Sequence, residues 1–99
     1  MDAPLKQLLS DIRSVFSDAK IYLFGSRATG RARPDSDYDL IIISKNFEKT
    51  PFIDRAAEVW KRSDAQMGAD LLCYTPDEFS KISKTSAVIK DAMADAVLL

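Results

Sequence analysis

Apolar positions along this chain switch between a helical and a strand period, and the switches mark out alternating elements. Leu5, Leu8, Leu9, Ile12, Val15 and Phe16 fall three or four residues apart, which predicts an amphipathic helix over residues 4–18 with Pro4 near its start. Residues 20–24 are a short β-rich run closed by Gly25, the pattern of a strand ending in a tight turn. A brief helical turn is predicted over residues 26–30, then a polar loop over 31–36 stiffened by Pro34. Residues 39–44, with Ile41, Ile42 and Ile43 in succession, carry the strongest strand signal. A second helix is predicted over 51–63, opened by Thr50 as cap and Pro51 at its first position, with Phe52, Ala56, Val59 and Trp60 on one face. A third strand follows over 69–74. Thr75-Pro76-Asp77-Glu78 then reads as a helix start, with helical character running to about residue 95 and a break near Lys84. Residues 96–99 fit a last short strand or a helix end.

Composition narrows the picture. At 99 residues the expectation is one domain over 1–99 with a single core. An apolar fraction of 46%, with 15 acids against 14 bases, fits a soluble globular protein. The net charge of −1 argues against strong nucleic-acid binding, because such domains carry a basic excess. Cys73 lies inside an apolar run and is expected to be a buried structural thiol. With no second cysteine and no histidine there is neither a disulfide framework nor a zinc spacing, which fits a reducing cytoplasm. The opening MDAPLKQLLSDI is too acidic, and too short in its apolar run, for a secretion signal. No segment reaches the roughly 20 apolar residues of a membrane-spanning helix, so no membrane partner is expected.

The candidate chemistry lies in GSRATGRARPDSDYDL, residues 25–40. On a strand, side chains at i and i+2 share a face, so Asp37 and Asp39 are expected to project together. Like charges about 4 Å apart repel by roughly 4 kcal/mol at an effective dielectric of about 20. One carboxyl is then protonated, or a cation sits between the two. Magnesium suits such a pair, taking one or two carboxylates, waters and substrate phosphate oxygens. Asp70 opens the next strand, where it can converge on the same site, on the face it shares with Leu72 and Tyr74. Three acids allow one ion or two. Gly25, lacking a Cβ, lets the backbone turn and approach a phosphate; Ser26 offers a hydroxyl that can cap the following turn; Arg27 can reach the β- or γ-phosphate. No Gly-Lys-Ser/Thr follows at Walker spacing. Tyr38, between the acids on the opposite face, reads as packing.

Gly25-Ser26, ten intervening residues and Asp37-Tyr38-Asp39, with the later ADLL segment, resemble the signature of the DNA polymerase β-type nucleotidyltransferase superfamily, and in particular its minimal nucleotidyltransferases. The resemblance implies an α/β (α+β) fold: a small mixed sheet with helices packed on one face and the triphosphate site on the other. It further implies that Gly25 and Ser26 hold the phosphates, that Asp37 and Asp39 bind Mg2+, and that Asp70 is the third carboxylate, helping to activate the acceptor hydroxyl. ATP is the substrate so implied. Many minimal nucleotidyltransferases act as antitoxins to HEPN-domain ribonucleases, some by moving AMP onto a tyrosine of the toxin, so a hetero-oligomer with a HEPN-type toxin is the expected partnership. A chain of 99 residues leaves no room for a domain that brings its own acceptor. Phe47, Phe52, Trp60 and the tail Val97-Leu98-Leu99 are the apolar positions expected at a docking surface. Two other readings stay open: neutralisation of the toxin by binding alone, and transfer to a small molecule or an RNA end.

Overall fold

Strict alternation of apolar side chains in the strands sends them to two faces of one sheet, and the helices assort accordingly. The computed structural model describes residues 2–99. Helix α1 (Ala3–Val15) is capped by Asp2, whose carboxylate accepts from the Leu5 N–H at 2.8 Å. Strand β1 (Lys20–Phe24) leads through Gly25 into the single turn α2 (Ser26–Thr29), and β2 (Tyr38–Ile43) follows the polar loop. Helix α3 (Phe52–Lys61), β3 (Ala69–Tyr74), α4 (Pro76–Thr85), α5 (Ala87–Ala94) and the two-residue strand β4 (Val97–Leu98) complete the order. No helix among the described residues is long and apolar enough to cross a membrane.

The sheet runs β3-β2-β1-β4. β1 pairs antiparallel with β2 and with β4, whereas β2 and β3 are parallel. A parallel step requires a crossover, which α3 supplies. On one face Ile21, Leu40, Ile42 and Cys73 pack with Leu5, Leu8, Leu9 and Ile12 of α1 and Val59 of α3. This is the main core and the helical layer expected from the resemblance. The other face is not left bare along its whole length: α4 and α5 bring Phe79, Ile82, Ile89 and Met93 onto Ile41, Ile43 and Tyr74.

The differences from the expected elements have local causes. A 3-10 turn over Lys45–Lys49 precedes α3, and Thr50 closes it. Thr50 therefore does not cap α3, whose capping position is taken by Pro51 without a side-chain hydrogen bond. Phe47 in that turn is 1% exposed and belongs to the core, so it is not a docking residue. Trp60 packs at the core's edge and so does Leu99, whereas Phe52, Val97 and Leu98 are exposed. The break near Lys84 falls at Ser86, which ends α4 and caps α5 through the Ile89 N–H. Thr75 and Glu78 form a reciprocal capping box at the start of α4. Cys73 is buried, and burial pushes its thiol up to about 12.

Candidate functional site

Strand register gathers the candidate residues at one end of the sheet. Phe24, Asp39 and Asp70 lie in one row across β1, β2 and β3. Asp39 and Asp70 therefore point to the same face, the one that α4 and α5 cover further along. Asp37 lies just before β2, and the Tyr38 N–H donates to the Gly68 carbonyl at 3.2 Å, extending the pairing toward it. Asp39 is half-buried; Asp37 and Asp70 are exposed.

Burial and the nearby carboxylates of Asp70 and Asp37 raise the affinity of Asp39 for its proton, and Asp70 is close enough to share a hydrogen bond with it. Two of the three acids are thus gathered. The Asp37 carboxylate, near enough to act on Asp39, lies against Gly68, where a Cβ would overlap Oδ1. In keeping with this, no group of three acidic, cysteine or histidine side chains among the described residues is drawn tightly enough to hold a metal ion. The donor set is all carboxylate oxygen and suits a hard cation such as Mg2+.

Gly25 connects β1 to α2 with φ +73° and ψ −155°, a conformation essentially restricted to glycine. A Cβ there would overlap Asp39 Oδ2. The residue therefore does two jobs, turning the chain and leaving room for the buried carboxyl. Ser26 is the first residue of α2 rather than its cap, since Gly25 takes that position with no side-chain hydrogen bond. The expected capping role of Ser26 is not found, and its hydroxyl makes no hydrogen bond among the described residues. The first N–H groups of a helical turn have no partner within it, so those of Ser26 and Arg27 are available beside the acids.

Arg27 lines one pocket with Asp37, Tyr38 and Asp2, and its guanidinium is engaged by the loop before β2. Its Nε and Nη2 donate to the Ser36 carbonyl at 3.1 and 2.7 Å, and Nη2 also donates to the Pro34 carbonyl at 3.3 Å. Its guanidinium lies 4.3 Å from the Tyr38 ring centroid. Tyr38 packs against the main core, as its alternation with the acids requires, and its hydroxyl donates to Asp2. Arg27 accordingly clamps the loop that precedes β2. Sequence reasoning missed Gly68 and Asp2. Gly68 acquires its contact with Asp37 from the pairing of β2 with β3, and Asp2 its contact with Tyr38 from the seating of the start of α1 against the sheet.

Residues 5–99 match the model of the nucleotidyltransferase domain family. A Haemophilus influenzae protein named "Probable protein adenylyltransferase MntA" is 34% identical over 82 residues, covering 79% of this chain and 70% of that relative. Caffeine-induced protein 16 of Schizosaccharomyces pombe is 38% identical over 61 residues, 62% of this chain, and the match spans 5% of that much longer relative. The crystal structure of a Sulfolobus solfataricus protein, described there as a candidate nucleotidyltransferase, is similar with a TM-score of 0.67 and 25% identity over 96% of this chain and 75% of its own.

Proposed function

The chain belongs to the nucleotidyltransferase domain family, and from that premise we propose that it transfers AMP from ATP to a tyrosine hydroxyl of a HEPN-type toxin, acting as the toxin's antitoxin. The observation that carries this reading is the row formed by Asp39 and Asp70 across two parallel strands, with Gly25 and Ser26 at the end of the adjoining strand. The adenylyltransferase name of the Haemophilus influenzae relative supports a protein acceptor.

In this reading Asp37, Asp39 and Asp70 would hold Mg2+, which when bound neutralises the triphosphate and lowers the cost of charge developing on it. Ser26 donates its hydroxyl, and the first N–H groups of α2 donate theirs, to phosphate oxygens. Gly25 lets the backbone approach them. Asp70, exposed at the start of β3, takes up the proton of the incoming hydroxyl in this reading. The acceptor oxygen forms a bond to the α-phosphorus, the bond from that phosphorus to the bridging oxygen breaks, and pyrophosphate leaves with the electron pair. Burial and the acidic neighbours raise the affinity of Asp39 for a proton, and cationic charge at the site would favour its carboxylate.

The test is the intact mass of whatever protein co-purifies with the chain from its native host, recorded before and after incubation with Mg2+ and ATP. A gain of adenylate units, lost when Asp37 and Asp39 are replaced by Asn, supports the reading. A tight partner of unchanged mass would replace it with neutralisation by binding, and adenylate found on a small molecule or an RNA end would move the acceptor elsewhere.

A further inference from the structure

Behind the acids, on the opposite side of β2, a second polar cluster ties four segments together. Arg27 leaves α2 and grips the loop through the Ser36 and Pro34 carbonyls. The same guanidinium stacks on Tyr38, whose hydroxyl is bound by Asp2 at the start of α1. Ser36 and Tyr38 are the two chain neighbours of Asp37, so one side chain engages the backbone before that acid and the ring of the residue after it. The Tyr38 N–H also donates to the Gly68 carbonyl and the Ser36 N–H to the Arg33 carbonyl, whereas the exposed Asp37 carboxylate itself makes no hydrogen bond among the described residues.

Resting on the reading of Asp37 as a metal ligand, we propose that Arg27, seated on the Tyr38–Asp2 pair, is the positioning residue that sets Asp37 for the metal–nucleotide complex. The planar guanidinium suits both halves of the task, since its fork meets two carbonyls while its face lies on the ring. The Tyr38 ring alternates with the acids on β2 and packs against the main core, so its effect on metal affinity is exerted through the backbone it shares with Asp37.

The experiment compares the full chain with Arg27→Gln, Tyr38→Leu, Tyr38→Phe and Asp37→Asn, reading Mn2+ affinity by electron paramagnetic resonance at saturating ATP and metal-free ATP affinity by calorimetry. Loss of groups that orient metal ligands typically weakens metal binding by about 10–100-fold. A loss in that range is expected for Arg27→Gln and Tyr38→Leu, with metal-free ATP affinity unchanged. Tyr38→Phe, which keeps the ring under the guanidinium, should retain most of the affinity. Trypsin cleavage after Arg31 should accelerate in the first two variants while cooperative melting persists. If Arg27→Gln weakens metal-free ATP while Tyr38→Leu changes neither affinity, Arg27 is a phosphate ligand and the proposal is overturned. If both bind Mn2+ like the parent while Asp37→Asn does not, positioning fails and the metal-site reading stands. If the parent chain binds no Mn2+ with ATP, both fail together.

Discussion

Asp39 is held in a setting that favours its neutral form, and the direction of that bias makes a stability prediction. Its folded affinity for a proton lies above the ordinary carboxylate value of 3.8 because of burial first, then of Asp70 and Asp37. The carboxyl therefore costs nothing below the unfolded value, and stability declines as pH rises through the folded one. Asp39→Asn, which cannot ionise, should raise the melting temperature at neutral pH in the presence of a chelator and leave it nearly unchanged below pH 3.8; calorimetry at the two pH values checks this. Gly25 carries the opposite expectation. A side chain at its φ and ψ costs on the order of 1–3 kcal/mol, and the added Cβ would displace the Asp39 carboxyl. Gly25→Ala should lower the denaturation midpoint accordingly and abolish Mg2+–ATP binding, read in the same urea and calorimetric titrations. The turn at Gly25 is legible from its place after a β-rich run. Its spatial role beside Asp39 is not, because it depends on which residue of β2 stands opposite Phe24.

Among the elements, α4 is the most strongly specified, and its start joins local chemistry to a half-buried ion pair. Thr75 accepts from the Glu78 N–H at 3.2 Å while Glu78 accepts from the Thr75 N–H at 2.8 Å. Glu78 also meets the buried Arg55 of α3 through both carboxylate oxygens, and Arg55 donates onward to the Thr50 and Cys73 carbonyls. The Arg55 bond, with help from the Thr75 N–H, pulls the Glu78 carboxyl down to about 2. Because the folded value lies below the unfolded one near 4.5, this contribution is complete above pH 4.5 and is lost as pH falls toward 2. Thr75→Ala should cost about 1 kcal/mol. Breaking one side of a buried pair costs about 3–5 kcal/mol. The 44% exposure of the Glu78 side chain brings the expectation for Glu78→Gln to about 2 kcal/mol. Urea denaturation of the single and double variants should show the two losses to be less than additive, since both act on one cap. The Thr75-Pro76-Asp77-Glu78 string announces this helix by itself. Arg55 does not announce its part, because an arginine on an amphipathic helix reads as solvated until the crossover of α3 lays it over the end of β3.

Over the whole molecule, the sheet divides labour between its faces. One is closed by α1 and α3; the other is covered by α4 and α5 only away from the acids. This leaves the acid end open to a nucleotide, whose binding should be visible in global stability. A ligand at 100 times its Kd stabilises by about 2.7 kcal/mol, which for a domain of this length is a rise of roughly 10 °C or more in melting temperature. Mg2+ with ATP should give such a rise, measured by differential scanning fluorimetry. Asp37→Asn with Asp39→Asn should remove it. Three strands, the helix order, the buried Cys73 and the grouping of Gly25, Ser26, Asp37 and Asp39 are legible in residue order alone, since periodicity, capping chemistry and glycine punctuation are local signals. Tertiary structure decided what those signals leave open. Parallel pairing of β2 with β3 set Asp70 beside Asp39 and Gly68 beside Asp37. The packing of Tyr38 set its ring beside the Arg27 guanidinium, which grips the Ser36 carbonyl, and the 3-10 turn drew Phe47 into the core. The physical reason is common to all of these: a side chain's type and period choose its face, but only the register of distant strands chooses its neighbours.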